Sequence, residues 1–318
     1  MSTAAIKAPQ PSAVQDSQKD YISGVVLILL GTVAFSSAGL FVRYIAKDAA
    51  TILFWRGIFT ALAVTAFVVW KEGRGTWASF KAIGRPGLMI AAMSAASMGC
   101  FIASLQTTTV ANNSIIFGTA PFLTAGLAWA MIRERPSLPT ILLSGVALLG
   151  AVLVMGSSFK LSGAALWGDI LAIVMTLTFA LKTVLVRKHR NVPMVPSGCV
   201  GALLGSLGAV PFVQEWSLNA GELAMFAVFG FTQQGAGLVL TTIGIGRVPA
   251  AHAALLMVFD LPLAPMWVWL AFGEAPAPMA LLGGGVVLAA IVGHVVIEGR
   301  RHRGVASAKG GTVEEVRR

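Results

Sequence analysis

Ten apolar runs, mostly of about 18 to 25 residues, follow one another from Tyr21 to Glu298, and each can cross a hydrocarbon core of about 30 Å as a helix. They lie near residues 22–46, 51–70, 86–106, 110–132, 139–156, 166–187, 194–214, 220–246, 249–273 and 278–298. The runs predict an all-α integral membrane protein. Composition agrees: 56% of residues are hydrophobic and 11% charged, about half the charged share of a soluble domain. Residues 1–20 are polar and lack the basic start and apolar stretch of a signal peptide. They read as a disordered cytoplasmic tail, and residues 299–318 as a basic cytoplasmic one.

The formal charge of +10 does not point to nucleic acid, because the basic residues sit in short loops and a tail and form no face of a soluble fold. They report orientation instead. With the N-terminus inside, eighteen of the 23 Lys and Arg fall in cytoplasmic segments, among them Lys71, Arg135, Arg187 and Arg247. Only Arg43, Lys47 and Lys160 fall outside, and Arg56 and Lys182 lie within spans. Short basic loops resist translocation, so this split predicts both termini in the cytoplasm and an even number of crossings. The location expected is a bacterial-type inner membrane, crossed many times.

Similar residues recur at an offset of roughly 140 to 144 positions. Gly24 and Val42-Arg43 match Gly168 and Val186-Arg187, while Glu134 and Pro136 match Glu274 and Pro276. Five spans per copy is an odd number, so the second copy enters the membrane inverted. The domains are then residues 21–156 and 165–298, two inverted five-helix repeats with a solute site expected near the midplane between them.

These residues resemble the drug/metabolite transporter superfamily in its EamA-type branch. The resemblance runs from about Gly24 to Glu298 and is carried by Phe54-Trp55-Arg56, Thr119-Ala120-Pro121-Phe122, Arg133-Glu134-Arg135 and Leu185-Val186-Arg187. In the ninth span it is carried by Leu263-Ala264-Pro265, Trp267-Val268-Trp269 and Gly273-Glu274. It implies a central cavity lined chiefly by spans 1, 3, 4, 6, 8 and 9, worked by alternating access.

Asp260 is the most informative single position, because it falls near the bilayer centre, where an unpaired carboxylate costs roughly 2.5 to 3.5 kcal/mol. It must face protein or water, where it would bind a proton or a substrate ammonium group. Lys182, about a turn inside the end of the sixth span, either snorkels to the interface or faces the interior, to meet Asp260 or a substrate carboxylate. Gln233 and Gln234 are adjacent in the eighth span, so at least one turns inward. Ser36 in the first span packs or hydrogen-bonds across helices, with substrate contact as a further use. Asn113, at the start of the fourth span near the outer mouth, either caps a helix or faces a solute. Arg56 beside Trp55 reads as an interfacial pair with a gating or structural role. Glu134 and Glu274 end their spans at opposite faces as loop-stabilising or gating elements of the repeat. His252 reads as a satisfied polar residue. One of Trp267 and Trp269 is free to turn inward from the aromatic belt.

Cys100 and Cys199 lie in apolar runs, the four histidines are scattered, and no Walker loop, metal triad or nucleophile elbow occurs. No cofactor, metal or catalytic residue is therefore expected. The function this predicts is a secondary transporter, acting as monomer or homodimer, that exports a small organic metabolite with protons as a possible coupling ion. A metabolite or vitamin importer of the same fold is the alternative. An intramembrane enzyme is the rival of another class.

Overall fold

Proline and hydroxyl side chains interrupt several of the spans near their middles. The computed structural model describes residues 11–108, 110–155, 166–273 and 278–315, and every regular element among them is helical. We number the helices by crossing. The first is broken into α1a (Pro11–Ser36) and α1b (Ala38–Ile45), where the Ser36 and Ser37 hydroxyls donate to the Val33 and Ala34 carbonyls, each at 2.7 Å, and compete with the backbone. Next come α2 (Ala49–Glu72), a short helix Thr76–Ala82, and α3 (Gly84–Thr107). The fourth crossing is α4a (Val110–Phe117) and α4b (Ala120–Ile132), followed by α5 (Leu138–Met155), α6 (Leu166–Lys188) and α7 (Val195–Ala209). Then α8 (Ala220–Arg247) contains a π-helical segment, Phe229–Ala236. The ninth crossing is α9a (Ala250–Met257) and α9b (Asp260–Phe272), and α10 (Pro278–Glu315) completes the set.

Nine apolar helical stretches of 18 residues or more lie among the described residues, with Leu138–Leu153 slightly shorter. The ends differ from expectation. Both α1a and α10 continue as helix into the segments read as tails, to Pro11 and Glu315. Pro11 suits a first helical turn, where no N–H is needed, and after Pro278 no proline interrupts α10.

The repeat is visible in the breaks themselves. The half-helices α4a and α9a have 8 residues each, α4b and α9b have 13 each, and every boundary is displaced by 140 positions. Prolines set both breaks: Pro121 and Pro262 lack the N–H that would continue the helical ladder from the preceding turn. The caps correspond too. Arg133, after α4b, holds φ +55°, the left-handed conformation that Gly273 supplies after α9b at φ +71° without a Cβ penalty.

Packing forms a ring in the order α8, α1, α9, α10, α5, α4, α6, α3, α7, α2 and back to α8. Exchanging each helix with its counterpart five crossings away gives the same ring read in the opposite direction. A two-fold axis in the membrane plane reverses the circulation of a ring, whereas an axis along the normal preserves it, so the repeats are inverted. Two glycines mark the same contact in each copy. A Cβ on Gly24 of α1a would stand 2.8 Å from Arg247 Cβ at the end of α8, and one on Gly168 of α6 would stand 2.7 Å from Thr108 Cβ just past α3.

Candidate functional site

The ring is filled across its interior at one end. On the face carrying Lys71, Arg135, Arg187 and Arg247, called the basic face, α4b packs against α9a, and α6 packs against both α9a and the last part of α8. All eight residues of α9a are buried. Toward the opposite face, no comparable packing joins α4a to α9b among the described residues.

A hydrogen-bond cluster seals the basic face. The Glu134 carboxylate accepts from Arg187 Nε at 2.9 Å and from the Ala250 backbone N–H at 3.2 Å, while Arg187 Nη1 donates to the Gly246 carbonyl at 2.8 Å. The ends of α4b, α6 and α8 and the start of α9a are thereby joined. A carboxylate at the first turn of α9a and a guanidinium at the last carbonyls of α8 both suit the helix dipoles. Glu274, the counterpart of Glu134, lies outside the described residues. Arg43, the counterpart of Arg187, places its guanidinium 4.8 Å from the centre of the Phe272 ring at the end of α9b.

At mid-depth, Asp260 opens α9b directly after the break, and its Oδ1 is buried with no hydrogen-bond partner. Its counterpart in the first repeat is Ala120, which is fully buried. Lys182 lies one and a half turns before the end of α6, its ammonium 5.1 Å from the centre of the Phe179 ring. Phe179 in turn meets Phe117, at the α4 break, with ring centres 5.0 Å apart. No ion pair or hydrogen bond links Lys182 to Asp260. The two charges are separately placed, and the assembly bridge considered from sequence is not formed.

The α1 break is held from two sides. Gln233, in the π segment, donates from Nε2 to the Phe35 carbonyl at 3.1 Å, which leaves its buried Oε1 without a partner. Trp267 donates from Nε1 to Ser36 Oγ at 2.7 Å. Ser36 therefore already donates and accepts, and its role in this state is to join α1 to α9b. Of the paired residues, Gln233 and Trp267 turn inward, while Gln234 is half-buried and Trp269 exposed. Single-turn π segments recur at functional sites because they re-aim side chains within a helix.

Two positions differ from the sequence expectation. Arg56 is not interfacial: it is 6% exposed, donates from Nη2 to Met98 Sδ on α3 at 3.0 Å, and lies 5.3 Å from the Phe229 ring on α8. Because α3 and α8 are not neighbours in the ring, a side chain on α2 that meets both points into the interior. Its Nε has no partner. Seven residues into α2, it was legible from sequence as an intramembrane charge, but the adjacent Trp55 favoured the interface. Asn113 is not a cap either; it is the fourth residue of α4a, and its Nδ2 donates to Ser104 Oγ on α3 at 2.8 Å.

On the face opposite the basic one, Lys47 forms ion pairs with Glu215 and, at 2.9 Å, with Glu222, tying the α1b–α2 turn to the α7–α8 connection. These hydrogen bonds raise the Lys47 pKa above its ordinary 10.5. A cavity of about 200 Å³ lies on the basic face between α2, α7 and α8, rimmed by Lys71, Arg190 and Arg247. It is separate from the residues at mid-depth, and none of its lining residues carries an unpartnered buried polar atom.

Comparison with known proteins agrees with the two-copy architecture. The model of the EamA-like transporter family matches residues 22–156 and again residues 166–296. An uncharacterized transporter of Archaeoglobus fulgidus is 25% identical over 272 residues, covering 85% of this chain and 95% of the relative. A protein solved by crystallography shares the fold with a TM-score of 0.75 at 15% identity, over 88% of this chain and 98% of the other.

Proposed function

Because the chain belongs to the EamA-like transporter family, within the drug/metabolite transporter superfamily, and is a multi-pass membrane transporter rather than an enzyme, we propose that it exports a small organic metabolite from the cytoplasm. The solute class is an amino acid, an amine or a related compound. The membrane is a bacterial-type inner membrane with both termini cytoplasmic, as the distribution of Lys and Arg favours. The basic face is then the cytoplasmic one, and the described state is closed inward.

One observation carries this reading: two inverted broken helices pack together on the basic-face side of their breaks, and only one of them bears a carboxylate at the break. Half-helix ends inside a ring supply fixed dipoles to a solute. An unpartnered carboxylate there attracts a cationic group and repels an anionic one. Asp260 therefore holds the amino group of the solute or a coupling proton. Lys182 and Arg56, on other sides of the ring, are available to a carboxylate, and Gln233 Oε1 to a further donor. Such a set suits a zwitterion. Alternating access follows by exchanging the α4b–α9a contact for an α4a–α9b contact.

Flux in proteoliposomes tests the proposal, using labelled amino acids, amines and vitamins with and without a pH gradient. Saturable movement of an amine or amino acid, lost in Asp260→Asn, is expected. Unchanged rate and pH dependence in Asp260→Asn would remove that residue from the mechanism, and uptake only toward the cytoplasmic face would replace export by import.

A further inference from the structure

The cavity on the basic face lies at the seam between the repeats. It is lined by the end of α2, from the first repeat, and by the end of α6, the start of α7 and the end of α8, from the second. A gap forms here because α8 meets α2 through its π segment and beyond it packs on α1a and α6 instead. The helices α7, α2 and α8 are consecutive in the ring, and α6, packed on α8, fills the interior behind them. The cavity therefore opens at the outer rim of the ring, where lipid and water meet.

Rim and wall differ in character. Lys71 is the last residue but one of α2, Arg247 the last of α8, and Arg190 follows α6 by two positions. All three are exposed and stand at the ends of crossings, hence at the depth of phospholipid headgroups. The wall is apolar, with Phe67 and Val68 of α2, Val195 of α7 and Ile243 of α8. On the neighbouring turns Trp70 is 81% exposed and Trp77 72% exposed, as aromatic side chains at a headgroup boundary are.

A membrane protein gathers Lys and Arg at one face for orientation alone. What sets these three apart is that they converge on one apolar-walled cavity and are not consumed by partners within the chain. Arg190 forms no ion pair or hydrogen bond among the described residues. Arg247 gives Nη1 to the Ser23 hydroxyl at 2.7 Å and keeps its other donors. Lys71 lies 3.7 Å from Glu72, a pair of solvent-accessible side chains that contributes little. We propose that the cavity binds an anionic phospholipid, with its phosphate among Lys71, Arg190 and Arg247 and its first acyl carbons against the apolar wall. A free phosphate ester would meet the same cations but leave that wall in water, whereas a phospholipid covers both. The bound lipid bridges the two repeats at the face that the Glu134 cluster closes.

The nearby charges favour an anion. Among the described residues Glu72 is the one carboxylate of the lining, against three cations. Arg187, next to the lining residue Val186, is held by Glu134 and the Gly246 carbonyl. Lys81 lies 5.8 Å from the centre of the Trp77 ring, and Arg74 and Lys188 are exposed outside the lining. On α1a, Lys19 and Asp20 precede Ser23 and offset each other. The basic residues after Glu298 are the same in every variant below and cancel from the comparison.

Native mass spectrometry of the full chain in a neutral detergent tests this, with dioleoylphosphatidylglycerol as the probe and dioleoylphosphatidylcholine as its match without net charge. One phosphatidylglycerol should be held more tightly than phosphatidylcholine. Lys71→Gln and Arg190→Gln should each weaken it about fivefold, the effect of one cation near an anionic headgroup. Arg74→Gln and Lys188→Gln remove equal charge from the same face outside the cavity and should change it far less. Val192→Trp, which fills the cavity from its lining and keeps every charge, should abolish the preference.

Equal losses inside and outside the cavity, or no preference over phosphatidylcholine, overturn the proposal. So does displacement of the lipid by millimolar glycerol phosphate or inorganic phosphate, which would make the occupant a soluble phosphate. The four charge substitutions fall on exposed residues, so the comparison stands even where Val192→Trp fails to fold. No transported solute is needed: absent flux together with the expected lipid pattern counts against the transport reading alone.

Discussion

The two broken helices share lengths, break point and capping turn, yet one carries Ala120 at the position where the other carries Asp260. The fold thus obtains its break from proline and needs no carboxylate to hold it open. A charge present in one copy and absent from the other is what the proposed function requires of Asp260, and it makes the two copies a matched pair for testing that role.

Exchanging the two residues gives the largest effects, with opposite signs. Ala120→Asp places an uncompensated carboxylate in a fully buried site and should destabilise the protein by about 3 kcal/mol, read as a lower melting temperature in detergent. Asp260→Ala should leave melting unchanged or raise it, while reducing flux of a cationic solute by about thirtyfold or more, the loss expected when a buried charge loses its partner. Equal destabilisation by both would show that Asp260 is structural.

The close helix contacts should behave symmetrically instead. Gly24→Ala and Gly168→Ala each force a Cβ against a neighbouring helix, and each should cost about 1–3 kcal/mol. Because they act at opposite ends of equivalent contacts, similar losses are expected. A large loss at one glycine and none at the other would break the repeat as an energetic description. Next in size is Glu134→Gln, which weakens a charge-assisted cluster and should cost about 1–2 kcal/mol. Its sharper readout is faster maleimide labelling of Ala250→Cys, because the cluster joins four helix ends at the face that must open.

Much of this was legible in the sequence because membrane helices announce themselves locally. Span positions follow from apolar length and the inverted copies from an odd number of spans per repeat, neither of which needs tertiary contacts. Asp260 was legible for the same reason, since a carboxylate in an apolar run has few structural excuses. What a side chain meets across the ring was not. Arg56 reads as interfacial beside Trp55, yet its partners Met98 and Phe229 come from α3 and α8. His252 looks isolated until α10 brings His294 to it, 42 positions away in sequence. The π segment that aims Gln233 at Phe35 has no compositional signal at all.

The smallest effect belongs to the clasp on the more open face, which joins side chains only, whereas the Glu134 cluster also holds backbone groups of α8 and α9a. Lys47 bridges Glu215 and Glu222 near solvent, where ion pairs contribute little. Its pKa is raised in the folded state by those hydrogen bonds, so its contribution is fully present below the ordinary lysine value of 10.5 and is lost as pH rises through the higher folded value. Lys47→Met should therefore melt slightly below the parent at neutral pH, and the gap should close only above about pH 11. The Glu134→Gln difference should persist there, since its partner is a guanidinium, not an amine, and guanidinium groups do not deprotonate in this range. A Lys47 gap that closes well below pH 10 would show that the clasp does not hold its proton. The two faces would then differ in kind, one fastened by a charge cluster that also holds backbone groups of two helix ends and the other left free to admit a solute.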